Sequence, residues 1–307
     1  MTDNVLVMDQ VVTPDYALYH GDCVEAMRGI PDASVHYSIF SPPFSSLYTY
    51  SNLDRDLGNC RDDAEFFGHF RFVIDELLRV TAPGRLCSFH CMLLPTSKAR
   101  EGFIGLRDFR GELIRAFVAA GWVHHSEVVI WKDPVTAMQR TKALGLLHKT
   151  VRGNASMARQ GIPDYLITMR APGEPAPRVT HDPKAYPVEL WQRMASPIWT
   201  DIDPGDTLQY RSAREHDDER HICPLQLTVV SRAIDLWTNP GETVLSPFAG
   251  IGSEGHIALG GATGPGVSLA PRRFVGIELK RSYYEQAARN LAAASRRDQM
   301  TLFGAEA

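Results

Sequence analysis

The sequence predicts an α/β protein built on a mainly parallel sheet with helices on both faces. Three observations carry this expectation. Apolar, alternating runs of strand length recur between segments whose apolar residues fall at helical spacing. One strand-like run closes on Ser41-Pro42-Pro43-Phe44. Another runs into a glycine-rich turn, Ser246-Pro247-Phe248-Ala249-Gly250-Ile251-Gly252-Ser253, that opens a helix.

In chain order, residues 17–20 read as a short strand ended by Gly21 and Asp22, and residues 24–28 as a brief helix that Asp22 would cap. Residues 35–40 form the next strand. Residues 47–61 are polar and aromatic, with Tyr48 and Tyr50, and suit either a flap or an exposed loop. Residues 63–80 place Phe66, Phe70, Val73, Ile74 and Leu77 at helical spacing, and Thr81-Ala82-Pro83-Gly84 stops that helix. A strand over 86–89, a helix over 108–120 and strands over 122–131 and 163–169 follow. Residues 171–177 hold three prolines and read as a stiff linker. Residues 181–210 show little periodicity and read as irregular. A helix over 224–237 leads into a strand at 243–245, and a strand over 273–279 precedes a closing helix over 282–294.

The Ser41 turn is the more specific of the two. Proline lacks the N–H and fixes φ, so two prolines end the strand and send the chain off the sheet as a rigid corner. That corner holds a hydroxyl, a free carbonyl and an aromatic ring at a carboxyl edge, where open α/β sheets bind ligands. The grouping suits a flat, amine-bearing ring. Ser41 Oγ and the Pro42 carbonyl can accept its N–H bonds, with Phe44 stacked on its face.

In the second turn, Gly250, Gly252 and Gly255 allow close backbone approach, and the following helix offers free N–H donors. No Gly-Lys-Ser/Thr follows, which speaks against a phosphate-binding P-loop. The strand over 273–279 carries Glu278 near its end, placed as an acid that can hold both hydroxyls of a ribose.

Composition sets the outer limits. With 307 residues, 44% hydrophobic and 22% charged, the chain is that of a globular protein of one large domain or a domain with an insert. No apolar run reaches membrane-span length and no signal pattern opens the chain, so a cytoplasmic, membrane-free protein is expected. Five cysteines without framework spacing point to reduced thiols. Cys87, His90 and Cys91 invite a metal check but lack a fourth ligand and a paired motif, so they read as buried strand residues and no metal is expected. The net charge of −4 excludes a uniformly basic coat. Between Trp131 and Arg178, however, eight basic residues face three acidic ones. Arg140, Lys142, Lys149 and Arg152 within that stretch are the candidate phosphate contacts.

Together these segments resemble the amino DNA methyltransferases that use S-adenosylmethionine. In that family an (Asp/Asn/Ser)-Pro-Pro-(Tyr/Phe/Trp) turn is catalytic and an Asp-Pro-Phe-x-Gly-x-Gly loop binds the cofactor. Here the catalytic turn precedes the cofactor loop, which is similar to the β class. The resemblance implies a circularly permuted, Rossmann-like class I methyltransferase fold. It assigns Ser41, Pro42, Pro43 and Phe44 to catalysis, and Ser246, Phe248, Gly250, Gly252, Ser253 and Glu278 to the cofactor, S-adenosylmethionine. Asp22 joins that set as an acceptor for the cofactor's adenine amine, with helix capping its other reading. Three departures stand out: Ser246 in place of aspartate, Gln226 where many relatives carry lysine, and the long connection over 260–271.

The same resemblance implies methyl transfer to the exocyclic amine of a flipped-out base in double-stranded DNA. Serine at the head of the turn favours cytosine N4, with adenine N6 the alternative. A degenerate, non-catalytic DNA-binding module and a methyltransferase acting on RNA or a small molecule are the rivals from other classes. The expected organisation is a catalytic half over 1–135, a target-recognition region over 136–220 that contains one sheet strand, and a cofactor half over 221–307. A homodimer and a cognate restriction endonuclease are the partners the family suggests.

Overall fold

A computed structural model describes residues 7–44, 60, 62–99, 101–135, 138, 145–175, 177–184, 186–209 and 224–303. Eleven strands are named in it: β1 Val7–Val12, β2 Tyr16–Gly21, β3 Val35–Phe40, β4 Thr81–Met92, β5 Leu94–Pro95, β6 Leu106–Arg107, β7 Val123–Ile130, β8 Asp164–Arg170, β9 Ile198–Trp199, β10 Thr243–Ser246 and β11 Arg273–Glu278. The helices are α1 Cys23–Met27, α2 Asp63–Val80, α3 Phe109–Ala119, α4 His148–Asn154, α5 Val188–Met194, α6 Leu227–Trp237, α7 Ser253–Ala258 and α8 Arg281–Phe303.

Nine strands form one sheet in the order β1-β2-β11-β10-β3-β4-β8-β7-β9, and β5 pairs with β6 apart from it. From β2 to β4 every pairing is parallel. β8 runs antiparallel to both its neighbours, and β1 antiparallel to β2. The chain leaves β3 for β4 on one side and leaves β10 for β11 on the other. Between β3 and β10 lies the topological switch point, where such sheets open a crevice at their carboxyl ends.

Period-two alternation splits the core into two layers. Tyr37 and Ile39 of β3 and Val244 of β10 face α6, α7 and α8, packing with Val230, Ile234, Ile257 and Leu291. Phe40, Phe89 of β4 and Leu245 face α1, α2 and α3, packing with Met27, Phe70, Ile74, Leu77 and Phe117. The amphipathic segment over 63–80 forms α2 as the periodicity predicts, with Asp62 accepting from Glu65 N at its start.

Several expectations are corrected. β4 begins at Thr81, directly after α2, where the sequence suggested a stop, and runs to Met92. Its early part is held by the proline segment read as a linker: Gly84 N donates to Pro172 O at 3.0 Å, and a Cβ at Gly84 would come within 2.5 Å of Pro175 N. Residues 181–210 are not wholly irregular, since they hold α5 and β9, and β9 adds a parallel strand beyond β7. A seven-residue helix and a two-residue strand are too short to register as a period. β1, an edge strand, was not anticipated. Among the described residues no helix is long and apolar enough to cross a membrane.

Candidate active site

β3 sends Phe40 into the core, and the prolines behind it carry residues 41–44 off the carboxyl edge. Pro42 is buried, while Ser41, Pro43 and Phe44 are half-buried. Phe44 rests on the aromatic cluster of α2 and α3, with its ring centroid 6.2 Å from Phe109. Ser41 lies level with His90, because β3 and β4 pair in parallel with Phe40 opposite Phe89. Ser41 Oγ is 3.2 Å from His90 Nδ1, and His90 Nε2 is 2.8 Å from Asp164 Oδ2. Lys132 forms an ion pair with the same Asp164 oxygen. Asp164 is 1% exposed. Burial alone would raise its carboxyl, but the charges and hydrogen bonds of His90 and Lys132 outweigh that and hold it below its ordinary value.

The second turn lies one strand away. Val244 and Leu245 of β10 pair with Tyr37 and Ser38 of β3, so both turns leave the sheet at the same edge. Phe248 packs on Phe40 at 5.7 Å and on Phe70 at 6.3 Å, and belongs with Phe44 to the same packed layer. Gly250 has φ +53° and Gly252, at the N-cap of α7, has φ +86°, conformations that favour glycine. Gly255 serves close packing: a Cβ there would stand 2.5 Å from Leu291 and 2.6 Å from Phe274. Glu278 closes the loop from below, its Oε2 accepting from Gly250 N and its Oε1 from Lys280 N, both at 2.8 Å.

Asp22 caps α1, accepting from Val24 N at 2.9 Å and Glu25 N at 3.1 Å, so its capping role is realised. It also stands beside the crevice. Burial, and then the charges of Asp22 and Glu278, push the Cys23 thiol up, which places both acids around that residue. The crevice suits a ligand with a polar, cationic end. Ser246 Oγ and Ser253 Oγ are buried without a hydrogen-bond partner, at the carboxyl end of β10 and the first turn of α7. Such orphaned hydroxyls are costly unless a ligand meets them. Glu254, 4% exposed, adds a carboxyl that burial pushes up to about 8, with the like charge of Glu278 acting in the same direction. A cation in the crevice would offset that burial cost.

The family model for DNA methylases of the N6/N4 type matches residues 35–289. The chain belongs to that family. Type II methyltransferase M.BamHI of Bacillus amyloliquefaciens is 22% identical over 274 residues, covering 85% of this chain and 54% of that protein. M.BglII of Bacillus subtilis is 22% identical over 271 residues, covering 87% of this chain and 66% of that protein. The chain therefore spans about half to two thirds of the length of the curated relatives it matches. The Thermus thermophilus protein TTHA0409, solved with S-adenosyl-L-methionine, superposes with a TM-score of 0.64 at 21% identity, covering 92% of this chain and 96% of that one. The cytosine-N4-specific PvuII DNA methyltransferase gives a TM-score of 0.64 at 14% identity, covering 95% and 96%. These likenesses establish the class I methyltransferase fold for the sheet described above.

The expected phosphate contacts are only partly placed. Lys149 and Arg152 are exposed, three residues apart on α4, whereas Arg140 and Lys142 lie outside the described residues, as do Tyr48 and Tyr50. The segment carrying α4 leaves β7 and returns as β8. Because β7 runs parallel to β4 and β8 antiparallel, both ends of that segment sit at the edge that carries Ser41. Sequence reasoning missed three members of the site. In the sequence His90 reads as a buried strand residue once a metal is set aside, yet its ring is committed to Ser41 and Asp164. Asp164 and Lys132 counted only toward the local charge balance. Among the described residues no group of three or more His, Cys, Asp or Glu side chains is placed to hold a metal ion.

Proposed function

We infer that this DNA methylase transfers a methyl group from S-adenosylmethionine to the exocyclic N4 amine of a cytosine flipped out of double-stranded DNA. The observation supporting this most directly is the pairing of β3 with β10, which brings the Ser41 corner and the glycine-rich loop to one crevice. When bound there, the cofactor supplies an electrophilic methyl carbon on sulfonium sulfur. Glu278 would take the ribose hydroxyls. Gly250 and Gly252 would let the backbone approach, Ser246, Ser253 and the α7 N-terminus would meet the methionine end, and Phe248 and Asp22 would border the adenine.

The chain's own work is positioning. A base amine is a poor nucleophile because its lone pair is delocalised into the ring. Ser41 Oγ and the Pro42 carbonyl accept its two hydrogens, draw the nitrogen toward tetrahedral geometry and free the pair for in-line attack. Phe44 covers the face of the base. The region over 136–220, with the basic α4, serves target recognition, and the halves over 1–135 and 221–307 carry catalysis and cofactor. A homodimer and a cognate restriction endonuclease are the partners to test.

Serine at the head of the turn supports cytosine. The deciding experiment is tritiated-methyl transfer to unmethylated DNA, followed by nucleoside analysis of the product. N4-methylcytosine is expected. N6-methyladenine would replace the base assignment, and no transfer would favour a non-catalytic DNA-binding module.

A further inference from the structure

We propose that His90, backed by Asp164 and Lys132, holds the Ser41 hydroxyl as a hydrogen-bond acceptor and takes, through it, the one proton that amine methylation releases. This rests on the reading of Ser41 as the amine's partner. A serine hydroxyl can donate or accept, and nothing in the Ser-Pro-Pro-Phe turn itself selects one. The network behind it does. Asp164 is buried and ionised, so it can only accept, and the hydrogen between it and His90 therefore sits on Nε2. A neutral ring with its hydrogen on Nε2 has only a lone pair at Nδ1. Ser41 must then donate to Nδ1 across the 3.2 Å contact, which turns its own lone pairs toward the crevice.

The four groups share one face of the sheet. Asp164 lies opposite Met92, two residues along β4 from His90, and side chains two apart on a strand point the same way; Lys132, two residues past the end of β7, reaches the same carboxylate. Among the described residues, charged groups packed nearby have other partners. On this face Arg232 of α6 pairs with Asp201 at 2.6 Å. Across the sheet Arg110 pairs with Glu127 at 3.1 Å and covers Tyr165, and Cys91 is buried beside them. The ring is turned the opposite way from a serine-hydrolase triad, in which Nε2 faces the serine and Nδ1 the carboxylate.

In the step itself, the amine lone pair forms the bond to the methyl carbon as the carbon–sulfur bond breaks, its electron pair remaining on sulfur. Nitrogen is left with one proton too many. That proton passes to Ser41 Oγ while the serine's own proton passes to His90 Nδ1. The base ends neutral, and His90 ends as an imidazolium against the Asp164 carboxylate until product release returns the proton to solvent. An imidazolium formed before the reaction cannot accept, so the rate should fall on the acidic side.

Single-turnover methyl transfer by the full chain, measured from about pH 5 to 9, tests this on wild type, Ser41→Ala, His90→Asn and the double variant. Asparagine keeps a hydrogen-bonding atom near Nδ1 but cannot take a proton. His90→Asn should slow transfer by about a hundredfold or more, remove the acidic limb and leave cofactor affinity within about twofold, the last also reporting a folded protein. The double variant should be no slower than Ser41→Ala alone, because His90 acts through Ser41. Lys132→Met is the second probe. With its cation gone, Asp164 holds the imidazolium more tightly, and the acidic limb should move to higher pH. A wild-type rate in His90→Asn, additive losses in the double variant, or a limb unmoved by both substitutions would overturn the proposal. A wild type that methylates no DNA would instead overturn the functional reading on which it stands.

Discussion

The backbone N–H of Gly250 donates to Glu278 Oε2 at 2.8 Å, tying the loop after β10 to the end of β11. With Lys280 N on the other oxygen, the carboxylate organises the loop. Glu278→Ala should therefore weaken S-adenosylmethionine binding by about tenfold or more, the value of losing a hydrogen bond to a charged group. Titration calorimetry reads this directly, and an unchanged Kd would remove Glu278 from the cofactor site.

Ser41→Ala leaves the glycine loop untouched. Methyl transfer should drop by about 10²–10³, the scale seen when one well-placed hydrogen-bonding group is removed from a transition state. Cofactor Kd should stay within about twofold. Equal turnover in the variant would take Ser41 out of the mechanism.

Lys149 and Arg152 stand exposed on α4, beyond an edge of the sheet shared with Ser41. Replacing both with Gln, together with Arg140 and Lys142, should weaken DNA binding and flatten its dependence on salt. Each lost phosphate contact lowers the slope of log K against log salt by about 0.9. A slope equal to wild type would place the DNA on another surface.

Glu254 makes stability depend on pH. Burial, aided by the Glu278 charge, lifts its carboxyl from the ordinary 4.5 to about 8. Between those values the folded protein keeps a proton that the unfolded chain has lost, so stability falls as pH rises, by up to about 1.4 kcal/mol per unit. Asp164, held below its ordinary 3.8, acts in the opposite sense: its contribution is present above that value and lost as pH falls. Urea midpoints at about pH 5 and 8 should converge in Glu254→Gln. Persistence of the full wild-type slope would show that Glu254 does not hold the proton.

Much of the fold was legible because its signals are local. Phe66, Phe70, Val73, Ile74 and Leu77 mark the buried side of α2, and α2 spans the predicted 63–80. The strand over 35–40 has its expected bounds, since the prolines after it forbid continuation. The misses have the opposite character. β1 and β9 are edge strands whose identity comes from the neighbours they pair with. The proline segment over 171–177 looked like a free linker, but Pro172 and Pro175 are seated against Gly84. A composition rich in proline reports stiffness, not what the stiff piece rests on.

By itself the sequence determined the two reactive corners and their order along the chain, because proline and glycine constrain the backbone residue by residue wherever they occur. Only the tertiary structure decided what stands behind the first corner. His90 is 49 residues from Ser41, and Asp164 a further 74 from His90, separations over which no local rule acts. Strand pairing sets them in a row on one face of the sheet, and burial of the carboxylate then gives that row a direction.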